Sequence, residues 1–429
     1  MKLFERLFKH ITLAFLLCFF APSTASSPNN EPTLQADSIE ISLLTCGPRQ
    51  QVYSLYGHTA IRFQDKQSGR DIAINYGVFS FDQPFFVLRF VFGLTDYEMG
   101  IAPFDIFEWE YGPTGCGVRQ QVLNLTAQEK MAIAQAVDRN MEPQNRVYRY
   151  NFFYDNCTTR ARDIIANNLN GRIVYDTSTP QHLNTSTPQH HNIPAQYPTF
   201  RNLIHNYNET HRWARFGNDL LLGVKADYNT TFEQQQFLPE RLCADFERAH
   251  IISADGTKRN LVSSSFWLFE PTTKQQSIQQ TNMSILDVFS PLVTFSILSI
   301  LTLIIAIVEY RRKRIIWMFD TSIMLTTGAC GLLLFAMIFS QHPTVSLNLQ
   351  ILLLNPINIF MLYSVMKAAR QNRIHWWTKA WSALILLLLA GSFLQSYAEG
   401  ITIVALSLLL RNMSNIYTFK NTGSKQPEA

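Results

Sequence analysis

The sequence predicts an α+β exported domain followed by an all-α membrane domain of five helices. Three features predict this arrangement: an apolar segment near the start that ends in small residues, strand patterns that give way to helical ones, and long apolar stretches after residue 285. Hydrophobic residues make up 47% of the 429 residues and charged residues only 16%, and the shortage of charge, which is concentrated after residue 285, indicates a membrane protein. The net charge is a modest +4, and the lysine and arginine residues form no basic patch interleaved with aromatic residues. We therefore expect no nucleic-acid partner.

The first segment has the pattern of a secretory signal peptide. Basic residues precede the apolar run Ile11–Phe20, and small residues follow it up to Ala25. Because this order of charged, apolar and small regions directs export, we expect residues 1–25 to be removed and residues 26–280 to form an exported domain. An uncleaved anchor helix is the alternative interpretation.

The exported domain begins with strand patterns and continues with helices. Thr126 starts a helix, and Glu129 three residues later completes a capping-box sequence. Strands followed by a helix predict an α+β domain. The predicted strands are Ile39–Thr45, Thr59–Phe63, Asp71–Phe81, the aromatic Phe85–Phe92 and Val118–Leu125, and the later helices are Phe200–Leu203, Trp213–Val224 and Leu242–Ile252.

One cysteine follows an aromatic, strand-like run and begins a helix-forming segment. Residues 147–163 read VYRYNFFYDNCTTRARD, in which Asp155 and Asn156 are good N-cap residues. Cys157 therefore falls in the first turn, where unpaired N–H groups and the helix dipole favour a thiolate. Its polar and cationic flank, with Asp155 and Arg160 as candidates to shape a substrate pocket, argues against a buried apolar role. We predict that Cys157 is a nucleophile.

A histidine upstream is the candidate partner of this cysteine. A thiolate nucleophile needs an imidazole that takes and returns its proton, and a third polar group that holds the ring. His58 opens a strand-like run, and Asn75 on the next strand is the candidate orienting residue. Tyr56, two residues before His58, would share its face of a regular strand and is a candidate substrate contact.

The remaining cysteines and histidines show no metal-binding spacing, so we expect neither a metal nor another cofactor. With Cys157 assigned to catalysis, three cysteines remain in the exported part, and their spacing leaves open a disulfide between Cys46 and Cys116. The string TSTPQH at residues 177–182 recurs at residues 185–190, which predicts a mobile insertion near residues 176–195.

The charge pattern of the loops predicts the membrane topology. Basic loops alternate with loops that carry no lysine or arginine, and basic loops stay in the cytoplasm. The first domain therefore faces outward, residues 284–412 form the five-span domain, and the tail 413–429 lies inside. The predicted spans are Leu286–Val308, Ile316–Ser340, Leu349–Met366, Ala380–Tyr397 and Ile401–Leu410.

Two polar residues of the membrane region stand out. Asp320 lies near the inner end of its predicted span, where we expect it to pair with the basic loop. His342 lies in an outer loop, on the side of the membrane where Cys157 must also lie. Because polar groups at membrane depth are often functional, His342 is a candidate substrate-binding residue.

Three strings around these residues resemble a known family. LLTCGPRQQVYSLYGHTAIR, INYGVFSFD and YRYNFFYDNCTTRARDII resemble the N-terminal periplasmic domain of the lipoprotein N-acyltransferases called Lnb, and the resemblance extends through the membrane region. They also resemble the circularly permuted papain-like (NlpC/P60-like) pattern, in which the histidine precedes the cysteine, as in lecithin:retinol acyltransferase-type transacylases. The resemblance implies that Cys157 carries the acyl group, that His58 is the base, and that Asn75 stands where the wider group keeps a histidine or another polar residue.

The resemblance also implies a reaction and a location. A membrane phospholipid would donate an acyl group to Cys157, and the thioester would acylate the α-amino group of the diacylglyceryl-cysteine of a lipoprotein. Backbone N–H groups at the start of the Cys157 helix would stabilise the oxyanion. The protein would lie in a bacterial inner membrane with its catalytic domain in the periplasm. A papain-like cell-wall peptidase or amidase, and a non-enzymatic membrane-tethered sensor that does not need Cys157, are the alternatives.

Overall fold

A computed structural model describes residues 36–49, 51, 54–79, 84–85, 88–89, 92–177, 197–272 and 289–420. The predicted signal peptide, nearly all of the predicted insertion and the end of the chain lie outside these residues.

The described strands of the exported part are β1 Ile39–Cys46, β2 His58–Asp65, β3 Arg70–Val78, β4 Asp96–Pro103, β5 Val118–Leu123, β6 Val147–Arg149, β7 Gly171–Val174, β8 His250–Ser253, β9 Lys258–Asn260 and β10 Val262–Phe269. Seven of them form an antiparallel sheet in the order β10-β5-β1-β2-β3-β4-β6, and the other three form an antiparallel sheet in the order β7-β8-β9.

Helices cover both faces of the large sheet, which explains why β1 is buried almost throughout. Ile41 and Leu43 point into one buried cluster, whereas Leu44 and Cys46 point into another on the opposite face. The exported helices of more than one turn are α1 Phe104–Tyr111, α2 Ala127–Met141, α3 Cys157–Ala166, α4 Phe200–His205, α5 Arg212–Leu221 and α6 Pro239–Arg248.

The structure confirms several predicted elements at their starts. β1 begins at Ile39, as predicted, and α3 begins at Cys157. Helix α2 has Thr126 as its N-cap, and the side chain of Thr126 and that of Glu129 each bond the other's backbone N–H, which is the predicted capping box.

Other predicted elements are wrong. No described residue of the aromatic run 85–92 is in a strand: Phe85 lies in a turn with a φ of 57°, and Leu88 is helical. The backbone at Phe85 is left-handed, which a strand cannot contain. The predicted helix at residues 242–252 ends at Arg248, and strand β8 follows it. The alternation of β10 was not recognised in the sequence.

The C-terminal part is a helical domain. Among the described residues, three helices are long and apolar enough to cross a membrane: Pro291–Arg312, Trp317–Ile338 and Leu349–Arg370. A shorter apolar helix, Trp376–Gly391, follows them. The regular helices are α7 Pro291–Arg312, α8 Trp317–Ile338, α9 Ile357–Arg370, α10 Trp376–Gly391 and α11 Ile401–Lys420, which continues past the predicted end of the last span.

Hydrogen bonds tie the exported part to the loop that follows α8. The N–H of Gly223 donates to the carbonyl of Thr344 at 2.8 Å, and the Asn348 side chain donates to the carbonyl of Leu220 at 2.7 Å. The chains approach so closely that a Cβ at Gly223 would lie 2.1 Å from the carbonyl oxygen of Leu347. Glycine is therefore required at this junction, because any side chain would separate the two backbones.

Asp320 pairs with a different partner from the one predicted. Its carboxylate accepts a hydrogen bond from Nη1 of Arg411 on α11, at 2.5 Å, rather than pairing with the basic loop. The other two guanidinium nitrogens of Arg411 donate to Glu309 of α7, at 2.7 and 2.9 Å. Both Arg411 and Glu309 are buried, so this cluster joins three helices where no water competes for the charges.

Candidate active site

A cavity of about 340 Å³ opens where strands β2 and β3 meet the start of helix α3. Aromatic and small residues form most of its wall, and a few polar and charged groups point into it. This combination is typical of a site that binds an organic ligand and orients it with a few polar contacts. Its chemistry-bearing lining residues are Arg49, Tyr56, His58, Asn75, Glu110, Tyr111, Cys157 and Thr158.

The start of α3 is fixed by Asn156, which is buried. Its Oδ1 accepts hydrogen bonds from the N–H groups of Thr158 and Thr159, both at 2.9 Å. Its Nδ2 donates to the carbonyls of Phe152 and Phe237, also both at 2.9 Å. One side chain therefore caps the helix and anchors it to two neighbouring segments, so Cys157 has a rigid backbone.

This cap changes the expectation for the oxyanion hole. Sequence reasoning assigned the oxyanion to several N–H groups of the first turn, but the cap occupies those of Thr158 and Thr159. The N–H of Cys157 precedes them and is not held by the cap. It is therefore the helix-start donor that we assign to this role.

The structure brings Cys157, His58 and Asn75 together. Strands β2 and β3 pair Ala60 with Asn75, which sets Asn75 diagonally across from His58 on the same face. Nε2 of His58 lies 3.0 Å from Oδ1 of Asn75. The imidazole and the thiol of Cys157 both line the cavity, and each shifts the pKa of the other. Because Asn75 engages Nε2, Nδ1 is the ring nitrogen left to exchange a proton with the sulfur.

The pKa values of the two groups shift in opposite directions. Burial alone would raise the pKa of the Cys157 thiol, but the charge and hydrogen bond of His58, together with hydrogen bonds from the Thr59 backbone and from Thr158, lower it to about 7. Burial alone would lower the pKa of His58, but the Cys157 thiolate and the hydrogen bonds with Cys157 and Asn75 raise it. Both shifts favour a thiolate–imidazolium pair near neutral pH.

Two threonines support this pair and were not found from the sequence. Oγ1 of Thr158 lies 3.8 Å from Sγ of Cys157 and 3.1 Å from Oγ1 of Thr59. Both threonines are buried. They connect β2 to α3 beside the sulfur of Cys157. This contact fixes the strand that carries His58 relative to the helix that carries Cys157.

Helix α1 forms another wall, which sequence reasoning also missed. The ring of Tyr111 stacks on that of His58, with centroids 6.5 Å apart and planes 13° apart. The guanidinium of Arg49 lies 4.0 Å from the Tyr111 ring centroid, and Glu110 also lines the cavity. The string that contains His58 also contains Arg49, but only the fold of residues 104–111 shows that α1 packs against it.

Of the four predicted substrate-binding residues, only Tyr56 lines the cavity. Its ring meets Phe152 edge-on at 4.9 Å, and its hydroxyl accepts a hydrogen bond from Asn218 at 2.7 Å. The predicted strand face shared by Tyr56 and His58 is wrong, because Tyr56 lies in a turn and β2 starts only at His58. Gly57, between the two, has a φ of 77°, so the chain bends there.

Asp155, Arg160 and His342 are placed elsewhere. Arg160 binds Asp155 through two hydrogen bonds, of 2.6 and 2.8 Å, and its guanidinium covers the ring of Tyr148 at 3.5 Å. His342 packs against Gly93 in the loop after α8. None of the three is among the cavity-lining residues, so their contacts fit packing better than substrate binding.

The other cysteines of the exported part differ from Cys157. Cys46, Cys116 and Cys243 are buried and carry free thiols. Burial raises the pKa of the Cys46 and Cys243 thiols, which keeps them protonated and unreactive. Within the described part of the chain, no cluster of three His, Cys, Asp or Glu side chains has the arrangement of a metal site.

Two family models match the chain. The model described as the Lnb N-terminal periplasmic domain matches residues 27–197, and the one described as the Lnb transmembrane domain matches residues 280–422. The first match contains His58, Asn75 and Cys157, and the second contains all the described membrane-domain helices. No curated protein and no solved structure matches the chain.

Proposed function

Because the chain belongs to the Lnb family, which indicates a membrane-associated role in lipoprotein processing, we propose that it is a lipoprotein N-acyltransferase. The acyl group would come from a membrane phospholipid and pass through Cys157 to the α-amino group of the diacylglyceryl-cysteine of a lipoprotein. The exported domain would act in the periplasm, anchored by a multi-pass domain in the inner membrane of a bacterium.

In the first half-reaction, Sγ of Cys157 attacks the ester carbonyl carbon of the phospholipid. The oxyanion accepts a hydrogen bond from the Cys157 N–H. As the carbon–oxygen bond breaks, the His58 imidazolium gives its proton to the departing glycerol oxygen. The products are a lysophospholipid and an acyl thioester on Cys157, and His58 is left neutral.

In the second half-reaction, the neutral α-amino group of the lipoprotein attacks the thioester carbonyl. Neutral His58 accepts the proton that the amine loses, and the carbon–sulfur bond breaks. The amide product leaves, and the thiolate–imidazolium pair is restored without any further reactant. Asn75 holds the ring in one orientation in both halves, so that the same nitrogen gives and accepts the proton.

One observation carries this proposal: a cysteine whose pKa is lowered by a histidine shares with it an aromatic-walled cavity, in a domain that is hydrogen-bonded to the loop after membrane helix α8. Cysteine–histidine pairs form acyl thioesters, and aromatic walls suit an acyl chain. The attachment to the membrane domain supports a lipid as the ester substrate. The aromatic lining residues are Tyr76, Phe79, Tyr97, Tyr111, Tyr150, Phe152 and Phe237, with Tyr56 at the turn.

The test replaces Cys157 and His58 separately with alanine in the full chain and measures N-acylation of a diacylglyceryl lipoprotein by mass spectrometry. We expect both variants to lose acylation. Cys243→Ala is the matched control, because this thiol lies in the same domain but is buried, and its pKa is raised. Unchanged lipoprotein acylation together with altered cell-wall peptides in these variants would favour the peptidase alternative. The sensor alternative would be favoured if cells that carry Cys157→Ala behaved like cells with the unaltered protein.

A further inference from the structure

Arg49 lies directly after β1 and lines the catalytic cavity with only weak pairing. Its side chain is only 20% exposed, and Nη1 lies 3.5 Å from a carboxylate oxygen of Glu110, which is itself 55% exposed. Nη2 is buried and makes no hydrogen bond among the described residues, and the thiol of Cys116, a weak acceptor, lies near the guanidinium. A buried guanidinium nitrogen without a strong acceptor is unfavourable, so a shift of the guanidinium toward an anion in the cavity would be favoured.

The position of the guanidinium is fixed although its hydrogen bonds are incomplete. It stacks on Tyr111 at 4.0 Å, and the N–H of Arg49 donates to the carbonyl of Ser54 at 2.9 Å, which fixes the backbone that carries it. Tyr111 also stacks on His58, so Arg49 and the imidazole contact the same aromatic ring. An anion bound at Arg49 would therefore lie in the cavity that Cys157 also lines.

One positive group in the cavity provides a site for an anion. Cys157 and His58 form a pair that is neutral overall, and Glu110, the carboxylate among the lining residues, is more than half exposed to solvent. Among the described lining residues, only Arg49 is always cationic. Its planar guanidinium suits a phosphate with two free oxygens, whereas the protonated form of the acceptor amine would be repelled. The weak contact with Glu110 leaves Nη1 free to join Nη2 in binding such a group.

We propose that Arg49 binds the phosphate group of the glycerophospholipid that donates the acyl chain, and thereby sets the ester carbonyl against Cys157. The identity of the donor rests on the proposed acyltransferase function, whereas the anion site itself does not. In a glycerophospholipid only the glycerol backbone separates the phosphate from the acyl esters, and Arg49 and Cys157 line the same cavity.

The first experiment compares two acyl donors with the full chain in detergent micelles, without a lipoprotein acceptor. The donors are phosphatidylglycerol and diacylglycerol, which has the same esters but no phosphate, and thioester formation on Cys157 is followed by intact mass spectrometry. We expect Arg49→Gln to reduce the ratio of the phosphatidylglycerol rate to the diacylglycerol rate by about tenfold, and Arg49→Lys to restore part of it. The same fractional loss with both donors would overturn the proposal, because Arg49 would then only support the fold.

Arg146→Gln is the matched control for this comparison. Arg146 is a half-exposed arginine of the same domain that pairs with Glu98 at 3.3 Å and does not line the cavity. We expect its donor ratio to equal that of the unaltered protein. A loss of donor preference in this variant as well would contradict a specific role for Arg49.

The second experiment does not depend on acyl transfer. Inorganic phosphate is added while iodoacetamide alkylates Cys157, and the alkylation rate is compared with that in equal concentrations of chloride and acetate. We expect phosphate to slow alkylation in the unaltered protein and not in Arg49→Gln. This result would support the anion site even if no thioester forms in the first experiment. The absence of a thioester would refute the acyltransferase function and not the anion site. Equal protection by phosphate in both proteins, or no more protection by phosphate than by acetate, would refute the site.

Discussion

Two arginines, the buried Arg411 of the membrane domain and the partly buried Arg49 of the exported domain, contrast a saturated with an unsaturated guanidinium. Each guanidinium nitrogen of Arg411 in the membrane domain donates to a carboxylate of Glu309 or Asp320 at 2.9 Å or less. Arg49 in the exported domain has one long contact and one nitrogen without a partner. The saturated cluster holds helices together and has no capacity left for a ligand. The unsaturated guanidinium lines the cavity that contains the reactive cysteine.

The largest expected effect is that of removing the imidazole. His58→Ala should slow acyl transfer by about 10²–10⁴-fold, because no group remains to exchange the proton. It should also raise the pKa of Cys157 from about 7 to above its ordinary value of 9.0, since burial then acts without the opposing charge. The thiolate predominates above its pKa, so the midpoint of iodoacetamide alkylation against pH should move upward.

His211→Ala provides the control, because His211 lies outside the cavity. Its alkylation midpoint should stay near that of the unaltered protein. A His58→Ala variant whose midpoint also stays near neutral pH would show that the thiolate does not depend on His58.

The next largest effect is expected in the membrane domain, where all guanidinium nitrogens of Arg411 are hydrogen-bonded to carboxylates. Arg411→Met should destabilise the protein by about 3–5 kcal/mol, because it leaves Glu309 buried without its cation. Thermal unfolding in detergent measures the loss. Combining Arg411→Met with Glu309→Gln and Asp320→Asn should recover part of it, since no unpaired charge remains. The pH midpoint of Cys157 alkylation in the folded fraction should not move in either variant, and a shift would contradict a purely structural role for this cluster.

The same contrast explains which features the sequence predicts. The start of α3 and the order of His58, Asn75 and Cys157 rest on local patterns: an N-cap residue before a helix, and polar residues within strands. Arg49 and Tyr111 belong to the site through contacts between segments distant in the sequence, because α1 packs against the loop after β1. Local patterns carry no record of that packing. The error at Tyr56 has a similar origin, since the bend at Gly57 breaks the assumed strand alternation.

A smaller effect is expected from the residue that caps α3. Asn156→Asp keeps the acceptor of the cap but removes the two donated bonds to Phe152 and Phe237, each contributing about 0.5–1.5 kcal/mol. The added negative charge beside Cys157 should also raise the pKa of its thiol. Thermal unfolding and the pH dependence of alkylation measure the two consequences.

Thr126→Ala is the control for Asn156→Asp, because it removes a helix cap that does not adjoin Cys157. It removes the N-cap of α2 and should cost about 1 kcal/mol of stability, with no change in the Cys157 pKa. Were Asn156→Asp to lower stability and leave the alkylation midpoint unchanged, the cap would matter for folding and not for the thiolate.

The smallest effect is expected at Asn75, which only holds the ring of His58. Asn75→Ala removes one side-chain hydrogen bond of 3.0 Å, and we expect a loss of about 1 kcal/mol of transition-state stabilisation, or about fivefold in rate. Asn75→Asp should keep the ring in place and raise the pKa of His58 further, because a carboxylate favours the imidazolium. Since activity is lost when the imidazolium deprotonates, the alkaline limb of the pH–rate profile should move to higher pH in Asn75→Asp. An unshifted limb would mean that Asn75 does not contact the ring during the reaction.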